Sequence, residues 1–552
     1  MMGQRHHVVP ERNRLPRQTI LARTEKLVIG LVVILSVGTA GTAMRQTSAT
    51  FDEIVFIAGG ARGWETGSFD LAPDHPPLLQ YLYGLPAYFT ASGYPDEAGI
   101  DPAVISAAGY RYAYAKEFLW GPYGNGQRVI LASRLVALAA MAALILVVWK
   151  FARRWGTLAG LLAAVIVAFL PDVLAHGGVA YGDLPLALGT LAAIWAIDRS
   201  IRSLRLQDAA LAGALVGIAV GIKATALALL PAAALLLVAE AYCRRRDAGW
   251  RYGIAPAAAA ASLAAYVALV IIFRGDLTLE QLRFGLDFRM AHYSTGHSVP
   301  AYLLGMLSVS GWWYFFPVAF LFKTSAGLHA LMGLAGIQYL SDVRHRPGRL
   351  LASPLRAPLA LLVILMAGLL QSNLNIGFRY ALPALPLIAT LTAVGVARLV
   401  ESGPRIIKGV ALVATAWLVI FPLTYAPNLL SFISEYGPGR DRNHEVLLDS
   451  SLDWGQGLIQ LRDWMHANEI SRIYLSYFGS AVPRGYGIDY IPMPSFFSLG
   501  STPPASEPEP EWLVVSATNL AGLYLPGDPF AVFRQRDPDA IIAGSLLAFR
   551  LR

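Results

Sequence analysis

Apolar residues gather in long runs at 27–44, 129–149, 157–172, 184–198, 208–222, 224–241, 252–273, 314–340, 357–371, 381–397 and 409–425. A membrane-spanning helix needs about 20 such residues, within a range of about 17–25. The pattern therefore predicts a polytopic α-helical membrane protein with about eleven spans, several of them short, and a run at 314–340 that is longer than one span. The gaps between runs alternate in charge. Arg5, Arg12, Arg14, Arg17, Arg23 and Lys26 precede the first run, and Lys150, Arg153 and Arg154 follow the second. Arg199, Arg202 and Arg205, then Arg244 to Arg246 with Arg251, then Arg344, Arg346, Arg349 and Arg356, then Arg398, Arg405 and Lys408 occupy every second gap thereafter. Lys and Arg mark the cytoplasmic loops, so the N-terminus is expected inside and, after an odd number of spans, the tail outside.

The expected division is a transmembrane part over 1–425, with a long first outer loop at 45–127, and an outer soluble domain over 426–552. The tail mixes strand-like runs at 472–478, 512–516 and 545–551 with a helical stretch at 458–466, which predicts an α/β domain. Prolines 503, 504, 508 and 510 mark a loop. Only 14% of the residues are charged against 55% hydrophobic, where a soluble domain carries roughly 25% charged. The net charge of +8 sits in short clusters between apolar runs, which argues against nucleic acid as a partner. The single cysteine, Cys243, excludes an intrachain disulfide. The first run lacks a small-residue cleavage site and reads as a retained span rather than a signal peptide.

Charged residues at the membrane boundary are costly and mark function by default. Asp52 and Glu53 follow the first span, where an adjacent carboxylate pair suits a general base; a solvated acidic pair favoured by a helix start is the plainer reading. Asp74 and His75 precede Pro76, Pro77 and Leu78, as a site or as an ordinary helix cap. Asp183 opens the fourth span in Tyr-Gly-Asp-Leu-Pro, with the same two readings. Lys223 is the one charge in an apolar hairpin and either snorkels or holds an anion. Tyr314 lies in an aromatic belt that leads to Lys323 within an apolar run. Asn375 and Arg379 begin the tenth span on the side where arginine is disfavoured, which makes Arg379 a phosphate or carboxylate clamp candidate. In the tail, Asp449, Asp453, Trp454 and Gln456 form either a turn that docks the domain or an acceptor-recognition element.

These motifs, in this order, carry a resemblance over almost the whole chain. Phe51-Asp52-Glu53, Asp74-His75-Pro76-Pro77-Leu78, Asp183-Leu184-Pro185, Gly217 through Lys223, Tyr314 through Lys323-Thr324, Asn375-Ile376-Gly377 through Arg379 to Pro383, Asp449 through Gln456, Tyr477-Phe478-Gly479 and Tyr486-Gly487-Ile488 are its residues. The chain resembles the lipid-carrier-dependent glycosyltransferases of the GT-C fold. Among them it is similar to bacterial members of the protein O-mannosyltransferase and lipid A aminoarabinose transferase superfamily (glycosyltransferase family 39-like). It departs at Tyr380, where related sequences often place histidine, and at Ser451, where they often place asparagine.

The resemblance implies an inverting transfer of a sugar from a polyprenyl-phosphate carrier to a protein, lipid or envelope-glycan acceptor on the periplasmic side of a bacterial inner membrane. It implies Asp52 as base, Glu53 or Asp74 as the group orienting base or acceptor, and Lys223, Lys323 and Arg379 as ligands of the leaving phosphate. His75, Asp183, Tyr314 and Asn375 complete the candidate set. No cofactor is expected; a divalent metal serves some GT-C enzymes, but no cluster with metal-ligand spacing indicates one here. A transporter or flippase of lipid-linked sugars is the alternative. That class favours charges near the midplane and internal repeats, whereas these charges lie at the outer boundary.

Overall fold

The computed structural model describes residues 15–97, 108–295, 300–345, 353–500 and 509–551. Arg5, Arg12, Arg14, Arg346, Arg349 and prolines 503, 504 and 508 lie outside them. All eleven apolar runs form helices, the conformation that satisfies every backbone polar group within its own segment in a bilayer. Seven are long and apolar enough to cross a membrane: Arg23–Arg45, Gly126–Trp155, Asp183–Ser203, Ala224–Cys243, Ala248–Ile272, Phe378–Ser402 and Arg405–Leu423. Thr157–Ala168, Leu206–Ile222 and Arg356–Leu370 are shorter. The run expected at 157–172 stops early because Pro171 holds Leu170 extended (ψ 128°) and starts a new short helix, Pro171–His176. The overlong run at 314–340 is two helices, Phe315–Lys323 and Ala326–His345, bent by 112° at Thr324 and Ser325. The break leaves Lys323 as the last residue of the first half.

The segment between the first and second apolar runs contributes helices Glu53–Thr66, Leu78–Thr90 and Ala108–Trp120. The first two cross with their backbones in contact. A Cβ on Gly60 would stand 2.1 Å from the Gln80 carbonyl, and one on Gly84 would stand 2.0 Å from the Gly60 carbonyl carbon. Only glycine at both positions allows this approach, and the crossing brings the starts of the two helices, with Asp52 and Asp74, to the same side of the bundle.

The tail is α/β as predicted. Its five-stranded sheet has the order β4 (Tyr490–Pro492), β3 (Ile473–Ser476), β7 (Trp512–Ser516), β9 (Leu546–Arg550) and β8 (Ala540–Ile542). β3 runs parallel to β4 and β7, while β9 runs antiparallel to β7 and β8. Helix Leu458–Ala467 packs Trp464 edge-on against Trp512 of β7. Two small hairpins, β1 (Ala301–Leu303) with β2 (Met306–Ser308) and β5 (Pro494–Ser495) with β6 (Ser498–Leu499), were not marked by any run in the sequence. The tail is bonded to the membrane part along residues 48–51. The amides of Ser48 and Phe51 donate to the carbonyls of Gln456 and Trp454 at 3.0 and 2.9 Å. The Ala49 amide donates to the Tyr486 hydroxyl at 3.0 Å.

Candidate active site

Four of the predicted charges form one string. Arg379 Nη1 lies 3.2 Å from Asp52 Oδ2 and 3.9 Å from Asp183 Oδ2. Lys223 Nζ donates to Asp183 Oδ1. Each is held by a helix boundary. Asp52 occupies the N-cap position of Glu53–Thr66, and its side chain makes no capping bond, so its carboxylate is not spent on the helix end. Asp183 is the first residue of Asp183–Ser203 and makes its ion pairs with Lys223 and Arg379. Lys223 is extended (φ −158°, ψ 133°) between Leu206–Ile222 and a 3-10 turn at Ala224–Ala228. It is buried and does not snorkel.

The Arg379 guanidinium is enclosed by aromatic rings, 4.4 Å from the Trp454 centroid, 4.8 Å from Tyr181 and 5.2 Å from Tyr380. Such faces attract a desolvated cation and fix its plane. Its Nε donates to Ser450 Oγ at 3.1 Å. Nη1, although near two carboxylates, makes no aligned hydrogen bond. A buried arginine with one nitrogen still to be satisfied is ready for a further anion.

Two cavities adjoin at this string. One, of about 440 Å³, is lined by Asp52, Asp74, His75, Arg111, Tyr112 and Arg379, and on the tail side by Asp449, Trp454, Phe496 and Tyr524 among others. The second, of about 420 Å³, holds Asp183 and Lys223 and runs between helices past the apolar residues Ile364, Leu365 and Leu369. Leu374 and Tyr380 line both. In the first cavity the Asp52 side chain is 25% accessible, against 12% for Asp74 and 20% for Arg111, and Tyr112 donates to its Oδ1 at 3.2 Å. Burial, and next the Asp52 charge, push the Tyr112 phenol up, so it stays a donor. Asp74 pairs with Arg111 at 3.0 Å, with His75 Nε2 3.5 Å away. Asp74 is not a helix cap, because that position of Leu78–Thr90 is taken by Pro77.

Four expected site residues lie elsewhere. Glu53 is fully buried and turned away from the cavity. Its two oxygens take Arg134 Nε and Nη2 at 2.8 Å each, the Ala180 amide at 2.7 Å and the Thr50 amide at 3.0 Å. Neighbouring residues on a helix point about 100° apart, so a carboxylate next to Asp52 necessarily faces another direction. Lys323 donates to the carbonyls of Leu430, Phe432 and Ser451 at 2.8, 3.1 and 2.8 Å, with Asp172 at 3.6 Å. An ammonium has three protons and all three are taken by tail carbonyls, so Lys323 anchors the tail and has none left for a phosphate. Asn375 accepts from the Trp312 amide at 2.6 Å and donates to the Ser372 carbonyl, bracing two loops. Tyr314 precedes Phe315–Lys323 and packs edge-on against Trp313.

The tail motif both docks and lines. Ser451 Oγ accepts the Phe378 amide at 2.9 Å, and Ser450 Oγ donates to the Ile376 carbonyl at 2.9 Å. Asp449 and Trp454 face the cavity. Burial pushes the Asp449 carboxyl up to about 6 against a hydrogen bond from Tyr524. Asp453, inside the tail and bonded to the Thr518 amide, is pushed up to about 7 for the same reason. Sequence reasoning passed over Arg134, Tyr112 and Tyr524, and gave Tyr181, though it opens the Asp183 motif, no role. Of these only Arg134, a charge within an apolar run, left a signal that could have been read.

No curated protein matches the chain. Solved structures similar to it include ArnT from Cupriavidus metallidurans bound to undecaprenyl phosphate (16% identity, TM-score 0.47) and the same protein in the apo state (15% identity, TM-score 0.43). The alignments cover 72% and 73% of this chain, but 65% and 66% of those proteins, just under two thirds of their length. Within the chain itself, residues 125–273, the segment that carries Arg134, Asp183 and Lys223, match the family model described as dolichyl-phosphate-mannose-protein mannosyltransferase, a GT-C family.

Proposed function

We propose that this protein is an inverting glycosyltransferase that moves a sugar from a polyprenyl-phosphate carrier to an acceptor hydroxyl or amine at the outer face of the membrane. The observation that carries the reading is the Asp52–Arg379 pair at 3.2 Å on the wall of a cavity, with Arg379 Nη1 lacking an aligned partner. The family-model match supports the same class. The carrier phosphate lies against Arg379 and Lys223, and its chain leaves between helices past Leu365 and Leu369. Arriving phosphate competes with Asp52 for the guanidinium and frees the carboxylate. Asp52 then takes the acceptor proton as the acceptor atom bonds to the anomeric carbon, and the bond from that carbon to the phosphate oxygen breaks. The phosphate departs with the electron pair, and the fixed cations stabilise the growing charge more than the ground state. So good a leaving group needs no protonated acid, unlike glycoside hydrolysis with its two carboxylates.

The basic clusters in alternate loops support a cytoplasmic N-terminus and an outer 426–552 segment, which on the glycosyltransferase reading lies in the periplasm of a bacterial inner membrane. The acceptor is a protein, lipid or envelope glycan. The test is Asp52→Asn in membranes that contain native acceptors, read as release of undecaprenyl phosphate from an undecaprenyl-phosphate hexose. Release falls by about 10²–10⁴-fold while the carrier binds at least as tightly as to the parent and thermal stability stays as in the parent. Undiminished release by the variant would remove Asp52 from the role of base.

A further inference from the structure

Eight non-glycine residues among those described adopt φ in the left-handed region. Two of them line the cavity, Asp449 at φ 51° and Tyr524 at φ 61°. They lie 75 positions apart, and the Tyr524 hydroxyl donates to Asp449 Oδ2. That backbone region is unfavourable for any residue with a Cβ, and a strained pair meeting at one point of a cavity marks a functional position. The surroundings hold both in place. The Asp449 amide donates to Thr518 Oγ1 at 3.2 Å, and Asp449 Oδ1 accepts the Ser450 amide at 2.5 Å. The Tyr524 ring stacks on Phe478, with centroids 5.4 Å apart and planes within 7°, and meets Phe496 edge-on at 5.9 Å.

Asp449 is buried and has no ion-pair partner among the described residues. Each oxygen accepts one hydrogen bond, and a carboxylate oxygen has capacity for two. Both therefore retain an acceptor site beside a wall of aromatic faces. Its neighbour Ser450 accepts from Arg379 Nε, which puts Asp449 one residue from the proposed phosphate clamp. A second phosphate would be repelled there, and a plain alkyl group would leave the carboxylate unsatisfied. A sugar ring fits both features: its hydroxyls donate to the carboxylate and its C–H face lies on the aromatic rings.

We propose that Asp449 and Tyr524 form the subsite that recognises hydroxyl groups of the transferred sugar, so that the tail supplies the specificity wall of the site. This rests on the glycosyltransferase reading above. The experiment uses full-length protein in nanodiscs. It measures affinities for undecaprenyl phosphate, for undecaprenyl phosphate bearing mannose, glucose or arabinose, and for the free methyl glycosides of those sugars. The parent prefers a glycosylated carrier to the bare one. Asp449→Asn and Tyr524→Phe each reduce that preference about tenfold and leave affinity for the bare carrier unchanged. Tyr524→Phe keeps the ring stack and remains readable if Asp449→Asn does not fold. A preference retained by both variants would overturn the proposal. Loss of methyl-glycoside binding alone, with the carrier preference intact, would also overturn it by moving the subsite to the acceptor. Failure of the parent to bind even the bare carrier would instead refute the underlying glycosyltransferase reading.

Discussion

The backbone amide of Phe51 donates to the carbonyl of Trp454, 2.9 Å away. Through this bond the residue before Asp52 is joined to the ring that lies 4.4 Å under the Arg379 guanidinium. The segment after the first apolar run, the tail and the tenth predicted span therefore meet at one point, and the position of Asp52 depends on Trp454, about 400 residues after it in the chain.

Arg379 lies near both carboxylates of the string, Asp52 and Asp183, and Lys223 pairs with Asp183. Arg379→Gln is accordingly the more damaging change. It lowers transfer by about 10²–10³-fold and weakens binding of undecaprenyl phosphate; Lys223→Gln has a smaller effect on both. Arg379→Lys does not restore activity, because an ammonium cannot fill the planar slot among Trp454, Tyr181 and Tyr380. Equal rates for Arg379→Lys and the parent would contradict this.

Adjacent carboxylates are expected to behave oppositely. Glu53→Gln leaves the buried Arg134 without its counter-charge, a loss worth about 3–5 kcal/mol. Its unfolding temperature and yield fall sharply. Asp52→Asn, partly exposed and outside that pair, unfolds near the parent temperature. A thermal-shift comparison of the two in one detergent checks the contrast.

Lys323→Met removes the donor shared by three tail carbonyls, each costing about 1–3 kcal/mol when left unsatisfied. The tail loosens and becomes more sensitive to limited proteolysis. Affinity for undecaprenyl phosphate in the intact fraction stays at the parent value. A selective loss of phosphate affinity with a protease-resistant tail would return Lys323 to the donor site.

The buried Asp453 carboxyl, at about 7, binds its proton more tightly folded than unfolded, where a free aspartate titrates near about 3.9. Between those values the folded state holds the extra proton, so stability falls as pH rises from about 4 to about 7. Asp453→Asn abolishes that slope. It matches the parent near pH 4 and exceeds it above pH 7 in unfolding temperature measured across that range.

Much of the membrane part was legible because its causes are local. All eleven apolar runs are helical, two of them broken into a pair of helices, since a lipid environment leaves each segment to satisfy its own backbone. The tail strands at 472–478, 512–516 and 545–551 were visible as short apolar, β-prone runs, and β4 and β8 were missed because three-residue strands carry too little pattern. The breaks at Leu170 and Thr324 were not apparent, as hydropathy is blind to a single extended residue.

The sequence alone marked the charges that flank or interrupt the apolar runs: Asp52, Asp74, Asp183, Lys223, Lys323 and Arg379. Only the tertiary structure decided which of them share a cavity. Glu53 and Lys323 have the same composition signal as Asp52 and Lys223, but one faces Arg134 from 81 residues away and the other is filled by carbonyls of the tail more than 100 residues on. A charge declares its cost through its position in the chain; its partner is set by helix rotation and by long-range docking, and neither is written in the local pattern.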